Sequence, residues 1–274
     1  MSERWLAVKV EPSGDPQAVI DALFSAGAQG IQEQGAAIIT HFPPGTDAAA
    51  IEAVVLAADS AASFGSGPAP EVDWSEWRAN VAAHRLGRIT ITPPWITPDD
   101  GSLAVTIDPA MAFGTGEHAT TRGVVRLMQQ IPSMPDTVAD LGAGSAVLAI
   151  CAAKLGAKRV AAIELDPDAI GNAEENVRVN GVADSVTVVE GDAALLLPLV
   201  APVGLVLANI ISSVLLQLLP VIGESLTSGG RAILSGILEE ERDMMIDAIR
   251  NAGFAIERED LEDNWWSVMI ARPR

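Results

Sequence analysis

A strand, a glycine-rich turn and a helix follow one another between residues 138 and 157, and this segment constrains the fold more than any other. Its first residues, Val-Ala-Asp-Leu, are typical of a strand, and the Gly-Ala-Gly that follows leaves room for a ligand to approach the backbone. Apolar residues then recur at helical spacing from Val147 to Leu155, and Gly156 is typical of a helix end. We therefore expect the N-terminus of this helix to face a ligand.

The strands that follow this segment place polar residues at their ends, and helices separate them, which indicates an α/β fold. Glu164 ends the first of these strands, where α/β nucleotide binders carry an acid for ribose hydroxyls. Asp192 follows the second strand, at the position where an adenine amino group is commonly met. Asn209 follows the third. The predicted strands are Val160 to Ile163, Val186 to Glu190 and Gly204 to Ala208.

Two of the polar residues near these strand ends, Asp166 and Asn209, also have a purely structural interpretation. Asp166 precedes Pro167 and is typical of a helix N-cap, which we favour over ligand contact. We assign Glu164 to the ligand, because a carboxylate accepts two hydrogen bonds from a diol. Asn209 is either a turn residue or a ligand for a target amine. Nitrogen methyltransferases often carry Asn-Pro-Pro-Tyr at this strand end, but the prolines and the tyrosine are missing from this chain.

The spacing of the glycines distinguishes two classes of nucleotide site. A dinucleotide fingerprint, Gly-x-Gly-x-x-Gly, would need a third glycine where the chain has Val147, which argues against a nicotinamide-dependent oxidoreductase. The nearer match is the acid-x-Gly-x-Gly turn of S-adenosylmethionine methyltransferases, read as Asp140, Gly142 and Gly144. Those enzymes usually have a third glycine at the position of Ala146.

Several segments, taken in order, resemble the ribosomal protein L11 methyltransferase family. They are DPAMAFGTGEHATT at 108–121, DLGAGSAVLAICAAKLGA at 140–157, AIELDPDAI at 162–170, LVLANI at 205–210 and GGRAILSGIL at 229–238. The resemblance extends to DWSEWR at 73–78 and to Pro94-Trp95, so it covers nearly the whole chain. It implies a protein N-methyltransferase that transfers methyl groups from S-adenosylmethionine to lysine or N-terminal amines of ribosomal protein L11. Lysine methyltransferases of the electron-transfer flavoprotein beta subunit are an alternative, although they generally lack the amino-terminal domain.

The resemblance also implies which residues form the site. Asn209 is predicted to accept a hydrogen bond from the amine and to orient its lone pair, and His118 either takes a proton or positions a ligand. Phe113 and His118 would close over the cofactor and the methyl-transfer site. Two residues depart from the family pattern: Ala119 replaces proline, and Glu164 replaces aspartate. Gly144 of the glycine turn and Asp192 at a strand end are added to this set. The predicted cofactor-binding residues are Phe113, Thr121, Gly142, Gly144, Glu164, Asp192 and Asn209.

The domain organisation predicted from the pattern is a small domain followed by a larger one. Residues 1–66 show the order β-α-β-β-α-β of a ferredoxin-like domain, with Thr46 as the cap of its second helix. In the resembled family this small domain recognises the substrate. Residues 67–83 are predicted to be a linker, because Gly65 to Pro70 is rich in structure breakers. Residues 84–274 are predicted to form a Rossmann-like, seven-stranded methyltransferase sheet.

The carboxyl-terminal part of the chain is expected to complete this sheet. We predict a strand from Arg231 to Ser235, followed by a helix from Glu239 to Asn251. Met244 and Met245 lie on the apolar side of that helix and are interpreted as core residues. A final pair of strands is predicted at 255–261 and 265–271.

Composition narrows the partners and the cellular compartment. The net charge of -19 argues against nucleic acid as the direct substrate and favours a basic protein, such as free ribosomal protein. Cys151 is the single cysteine, so we expect a small core residue and no internal disulfide. The three histidines have no ligand spacing, and no metal is expected. No apolar stretch reaches eighteen residues and no signal peptide is recognised, so we expect a cytoplasmic protein without membrane contact, and a monomer.

Overall fold

The computed structural model describes residues 5–14, 16–28, 31–35, 37–69, 82–98, 101–108 and 116–273. The chain divides into two compact units, Met1–Arg78 and Ala79–Arg274. The segment DWSEWR and the predicted site residue Phe113 lie outside the described residues. The domain limits inferred from the sequence, with a linker at 67–83, stay a prediction.

The first unit is an antiparallel sheet covered by two helices. Its elements are β1 Leu6–Glu11, α1 Pro16–Ser25, β2 Ile31–Gln34, β3 Ala37–Phe42, α2 Ala48–Ala58 and β4 Ser63–Pro68. The strands lie in the order β2-β3-β1-β4, which is the ferredoxin-like arrangement. In β1, Val8 and Val10 are buried while Lys9 and Glu11 are exposed. This alternation turns one face of the sheet toward the buried residues of the helices.

Two local expectations in this unit are wrong. Gly65 to Pro70 was predicted to be linker, but Gly65 to Pro68 are the last residues of β4 and pair with β1. A strand at the edge of a sheet tolerates glycine and proline, so pairing with β1 outweighs the breaker composition. The cap of α2 is Asp47, whose side chain accepts a hydrogen bond from Ala49 N at 3.0 Å. The hydroxyl of Thr46 instead donates to Pro43 O.

The second unit begins with a small sheet that the sequence pattern did not predict. It contains β5 His84–Leu86, β6 Ile89–Thr92 and β7 Leu103–Thr106, with β5 and β6 antiparallel and β6 and β7 parallel. These strands have only three or four residues, too few for a clear periodic signal. The helix α3, Ala119–Met128, follows.

The large sheet of the second unit is the predicted seven-stranded methyltransferase sheet. Its elements are β8 Thr137–Leu141, α4 Val147–Lys154, β9 Arg159–Glu164, α5 Pro167–Val179, β10 Val186–Glu190, α6 Ala193–Val200, β11 Val203–Asn209, α7 Ser212–Ser225, β12 Leu226–Leu238, α8 Arg242–Asn251, β13 Ala255–Glu262 and β14 Trp265–Ala271. The order is β10-β9-β8-β11-β12-β14-β13. The first five strands are parallel, and β14 and β13 are antiparallel to their neighbours.

Helices cover both faces of this sheet. Buried residues of α3, α4 and α5 pack on one face, and those of α6, α7 and α8 pack on the other. Cys151 on α4 is fully buried, as predicted for a core residue, and burial raises the pKa of its thiol. The predicted helix from Glu239 begins as a 3-10 turn, Glu239–Glu241, before α8. Met245 is buried in the core, but Met244 is 44% exposed, so its assignment to the core was wrong.

The described part of the chain contains no helix that is both long and apolar enough to cross a bilayer.

Candidate active site

The order of the strands creates a crevice at the carboxyl edge of the large sheet. From β8 the chain moves outward through β9 to β10, and then returns to place β11 on the other side of β8. Leu141, at the end of β8, pairs with Ala208, so Gly142 and Asn209 flank the point where the order reverses. In open α/β sheets, ligands bind outside the carboxyl ends of the strands at such a point.

The loop after β8 brings backbone groups to this crevice. Gly142 and Gly144 have φ of +67° and +53°, which favours glycine. The N–H groups of Gly142 and Ala143 donate to Ile163 O at 2.9 and 3.0 Å, so the loop is held against β9. A Cβ on Gly142 would lie 2.6 Å from Ile210 Cγ2. Glycine at this position therefore lets the loop and the Ile210 side chain, just after β11, approach this closely.

Asp140, the acid of the turn, is buried beneath the loop. It is 1% exposed, and its Oδ2 accepts a hydrogen bond from Ala149 N at 2.9 Å. This bond caps α4, because Ala146 at the N-cap position has φ +62° and makes no side-chain cap. Oδ1 has no hydrogen-bond donor among the described residues. The pKa of Asp140 is raised to about 7, mainly by burial and to a smaller extent by the nearby charge of Glu164.

Glu164 joins the end of β9 to the glycine loop. Its Oε2 accepts a hydrogen bond from Gly144 N at 2.7 Å, and Oε1 accepts from Leu165 N and Asp166 N at 2.8 and 2.9 Å. Each carboxylate oxygen has two lone pairs, so Oε1 is fully used and Oε2 retains the capacity to accept one further bond. Glu164 therefore holds the loop while an acceptor remains for hydroxyl groups. Asp166 caps α5, as predicted, by accepting from Asp168 N at 3.0 Å.

Asp192 lies one strand further along the same edge. It is exposed and caps α6, because its Oδ1 accepts from Ala194 N at 2.8 Å. Gly191 N donates to Glu164 O at 2.7 Å, which holds the ends of β9 and β10 together. The cap is a structural function that the sequence interpretation had not assigned to Asp192.

The first turn of α3 carries two further predicted residues, Thr121 and His118. Thr121 is fully buried, and its Oγ1 accepts a hydrogen bond from Asn209 Nδ2 at 3.3 Å. His118 caps α3: its Nδ1 accepts from Thr120 N at 3.4 Å and lies 2.7 Å from Thr120 Oγ1. Its ring packs edge-on against Trp265 with centroids 4.9 Å apart. The fold thus brings Thr121 and Asn209 into contact, although 88 positions separate them.

An ion-pair network that the sequence interpretation missed holds α3 in place. Arg122 and Arg126 lie one turn apart and both contact Glu262 of β13, at 2.8 and 2.6 Å. Arg126 also donates from Nε to Asp260 Oδ2 at 2.8 Å. The bond to Asp260 raises the pKa of Arg126, and the bond from Arg122 lowers the pKa of Glu262. In the sequence, this network is visible only as two arginines four residues apart on one helix. That spacing does not identify β13 as the strand that supplies the acidic partners.

Buried serines give α3 a second, uncharged attachment to the sheet. Ser235 of β12 donates from Oγ to Thr120 O at 3.2 Å and lies 2.7 Å from Ser267 Oγ of β14. Both serines are at most 1% exposed. Since buried hydroxyls need partners, these bonds specify where the first turn of α3 lies on the sheet.

Comparisons with known proteins identify related sequences and a related structure. The family model described as "Ribosomal protein L11 methyltransferase (PrmA)" matches residues 19–273. A protein of Geobacter sulfurreducens named ribosomal protein L11 methyltransferase is 35% identical over 279 residues, which cover 96% of this chain and 91% of that protein. A protein of the same name from Pelotomaculum thermopropionicum is 40% identical over 206 residues, 74% of this chain and 66% of that protein.

A solved structure is also similar. The crystal structure of ribosomal protein L11 methylase from Lactobacillus delbrueckii subsp. bulgaricus superposes with a TM-score of 0.64 at 30% identity. The superposition covers 71% of this chain and all of that one.

Proposed function

The chain belongs to the ribosomal protein L11 methyltransferase family, and from that premise we propose that it transfers methyl groups to amino groups of ribosomal protein L11. As a member of this family it is a methyltransferase, and S-adenosylmethionine is its methyl donor. The observation that carries the proposal is the juxtaposition of Gly142 and Asn209 across the reversal of strand order. One end of that crevice suits a nucleoside and the other suits an amine.

The residues around the glycine loop fit S-adenosylmethionine. Two left-handed glycines shape the loop, the N-terminus of α4 lies behind it, and Glu164 presents a carboxylate suited to ribose hydroxyls. Asp140 places a buried acidic group beneath the loop, which favours a cationic ligand. We propose that Thr121, Gly142, Gly144, Glu164 and Asp192 contribute to this binding site. When bound, S-adenosylmethionine supplies a methyl group that is already activated by the sulfonium.

The proposed task of Asn209 is to orient the acceptor amine. Its Nδ2 donates to Thr121 Oγ1 at 3.3 Å, which sets the orientation of the carboxamide. The carbonyl Oδ1 is then the atom that accepts a hydrogen bond from the amine, so that the nitrogen lone pair points at the methyl carbon. The amide does not act as a base.

Loss of the amine proton is the costly step. At pH 7, neutralising a lysine costs about 4 to 5 kcal/mol, while an N-terminal amine costs about 1 kcal/mol. A positive sulfonium nearby and burial both lower this cost. His118 caps the first turn of α3 through Nδ1, which accepts from Thr120 N. We therefore propose that His118 positions the first turn of α3 and contacts ligand, and that the proton leaves to solvent.

The charge of the protein supports a basic polypeptide as the partner. With a net charge of -19, the protein repels phosphate backbones and attracts basic proteins, so we propose free ribosomal protein L11, without direct nucleic-acid contact, as the substrate. We also propose that the enzyme works as a monomer in the cytoplasm.

Replacement of Asn209 tests the proposal. Purified protein is incubated with labelled S-adenosylmethionine and free ribosomal protein L11, and the modified amines are mapped by mass spectrometry. We expect Asn209→Ala to lower kcat by roughly 100-fold, the size of losing one well-placed polar group. The control Asn251→Ala, at the exposed end of α8, should retain the wild-type rate.

Each of two results would contradict part of the proposal. One is full activity of the Asn209→Ala variant, which would remove the task assigned to Asn209 but not the methylation of ribosomal protein L11. The other is calorimetry of the wild type that shows no heat with S-adenosylmethionine but tight binding of a nicotinamide dinucleotide.

A further inference from the structure

Gly236 interrupts β12 immediately beside the end of β11. Its φ is +82°, and the pairing of β12 with β14 shifts register between Leu234 and Ile237. An isolated glycine in a strand often marks a bulge or a close approach of backbone. The bulge lies one residue after Ser235, which pairs with Asn209.

Only glycine fits at this position, because the neighbour is backbone. A Cβ on Gly236 would overlap Ile210 O and would lie 2.8 Å from Ile210 C and 3.0 Å from Ile210 N. These atoms belong to the chain that follows Asn209, so they move only if that segment moves. A flexible side chain could rotate away from a new methyl group, but this peptide cannot.

Ile210 lies between two left-handed glycines, Gly236 of β12 and Gly142 of the loop after β8. Its N–H donates to Ser235 O at 3.1 Å, and its peptide lies against Gly236. On the other side its Cγ2 occupies the place that a Cβ of Gly142 would need. Ile210 therefore spans the distance between the bulge of β12 and the loop proposed to hold the cofactor.

We propose that Gly236 is a positioning residue for methyl transfer. By letting β12 contact the Ile210 peptide, Gly236 sets how far Asn209 lies from the loop at Gly142. This inference rests on the proposed function, in which Asn209 orients the acceptor amine. A displacement of about 1 Å in such an alignment lowers turnover by roughly 100-fold. Cofactor binding is less affected, because Gly144 lies in the loop after β8, Glu164 lies at the end of β9, and a hydrogen bond joins them.

The variant Gly236→Ala and the control Gly253→Ala separate displacement from backbone strain. Gly253 has φ +83°, nearly the same as Gly236, but a Cβ there has nothing within 4 Å. Both variants are assayed for methylation of free ribosomal protein L11 and for affinity for S-adenosylmethionine by calorimetry. We expect Gly236→Ala to lower kcat about 100-fold while Kd stays within about threefold, and Gly253→Ala to keep the wild-type kcat.

A spectroscopic readout keeps the inference testable without activity. With labelled isoleucine methyl groups, the resonance of Ile210 should shift in Gly236→Ala and not in Gly253→Ala. If the wild type does not methylate the ribosomal protein, the proposed function fails. The Ile210 resonance then still shows whether Gly236 sets the position of Ile210. An unshifted resonance, or a kcat within threefold of wild type, would overturn it.

A second variant covers the case in which Gly236→Ala does not fold. Ile210→Ala keeps the backbone contact with Gly236 but removes the side chain that reaches Gly142. Its kcat should fall at least about tenfold with unchanged Kd for the cofactor. An unchanged kcat in this variant would also refute the positioning function.

Discussion

Substitution of Asp140 by asparagine should change the pH dependence of stability in a predictable direction. The asparagine carbonyl retains the bond from Ala149 N, and the variant has no charge to bury. In the wild type the pKa is about 7 in the folded state, against an ordinary value of 3.8. The wild type therefore loses stability as the pH rises from 3.8 to about 7, because the unfolded chain ionises first. Above pH 7 the loss is constant.

The size of this effect follows from the same two values. Each pH unit in that interval costs about 1.4 kcal/mol, so ionised Asp140 destabilises the folded state by about 4 kcal/mol in total. Relative to wild type, Asp140→Asn should gain about 2 kcal/mol in free energy of unfolding between pH 5.5 and 8.5. The two proteins have nearly equal net charge. The difference between their free energies of unfolding therefore cancels most of the contribution from repulsion among the acidic residues.

Urea unfolding, followed by tryptophan fluorescence, measures this difference at each pH. Asp247→Asn, an exposed carboxylate on α8, controls for the removal of one charge. A stability difference between Asp140→Asn and wild type that stays flat from pH 5.5 to 8.5 would refute the reasoning. It would mean that Asp140 is already ionised in the folded state, as it is in the unfolded state, throughout this range.

Two further predictions concern the cofactor loop and the packing of α3. Glu164→Ala removes the acceptor of Gly144 N and the proposed ribose ligand, so calorimetry should show S-adenosylmethionine bound roughly 100-fold more weakly, while an unchanged Kd would exclude this contact. Gly123→Ala should lower the free energy of unfolding by about 1 to 3 kcal/mol, because its Cβ would overlap Ser267 Oγ and lie 3.1 Å from Ser267 Cβ. The control Gly171→Ala, where a Cβ meets nothing within 4 Å, should instead stabilise α5 by about 0.5 to 1 kcal/mol, and equal effects in both variants would contradict the packing argument.

Local chemistry was sufficient to predict much of the second unit. Gly156 follows α4 with φ of +114°, so this helix ends at the predicted place, and Gly181 follows α5 in the same way with φ of +65°. Asp166 caps α5 before Pro167. These features depend on residues within one turn of each other, and a sequence displays such neighbours directly.

Elements that depend on a distant partner were predicted less well. Gly65 to Pro68 look like a linker until β1 supplies their hydrogen bonds. The strands β5 to β7 are too short to show a period, and Met244 lies on the exposed side of a helix whose orientation is set by packing on β13. In each case the competing interaction comes from another part of the chain.

The features of the candidate site fall into the same two groups, those visible in the sequence and those that depend on tertiary contacts. The sequence alone determined the turn at Gly142, the acid at Glu164 and the family to which they belong, because these are short patterns of residue type. Only the tertiary structure decided that Asn209 contacts Thr121, that Gly236 lies against Ile210, and that burial raises the pKa of Asp140. Contact distances and loss of solvent arise when separate strands and helices come together, and no single segment of sequence contains them.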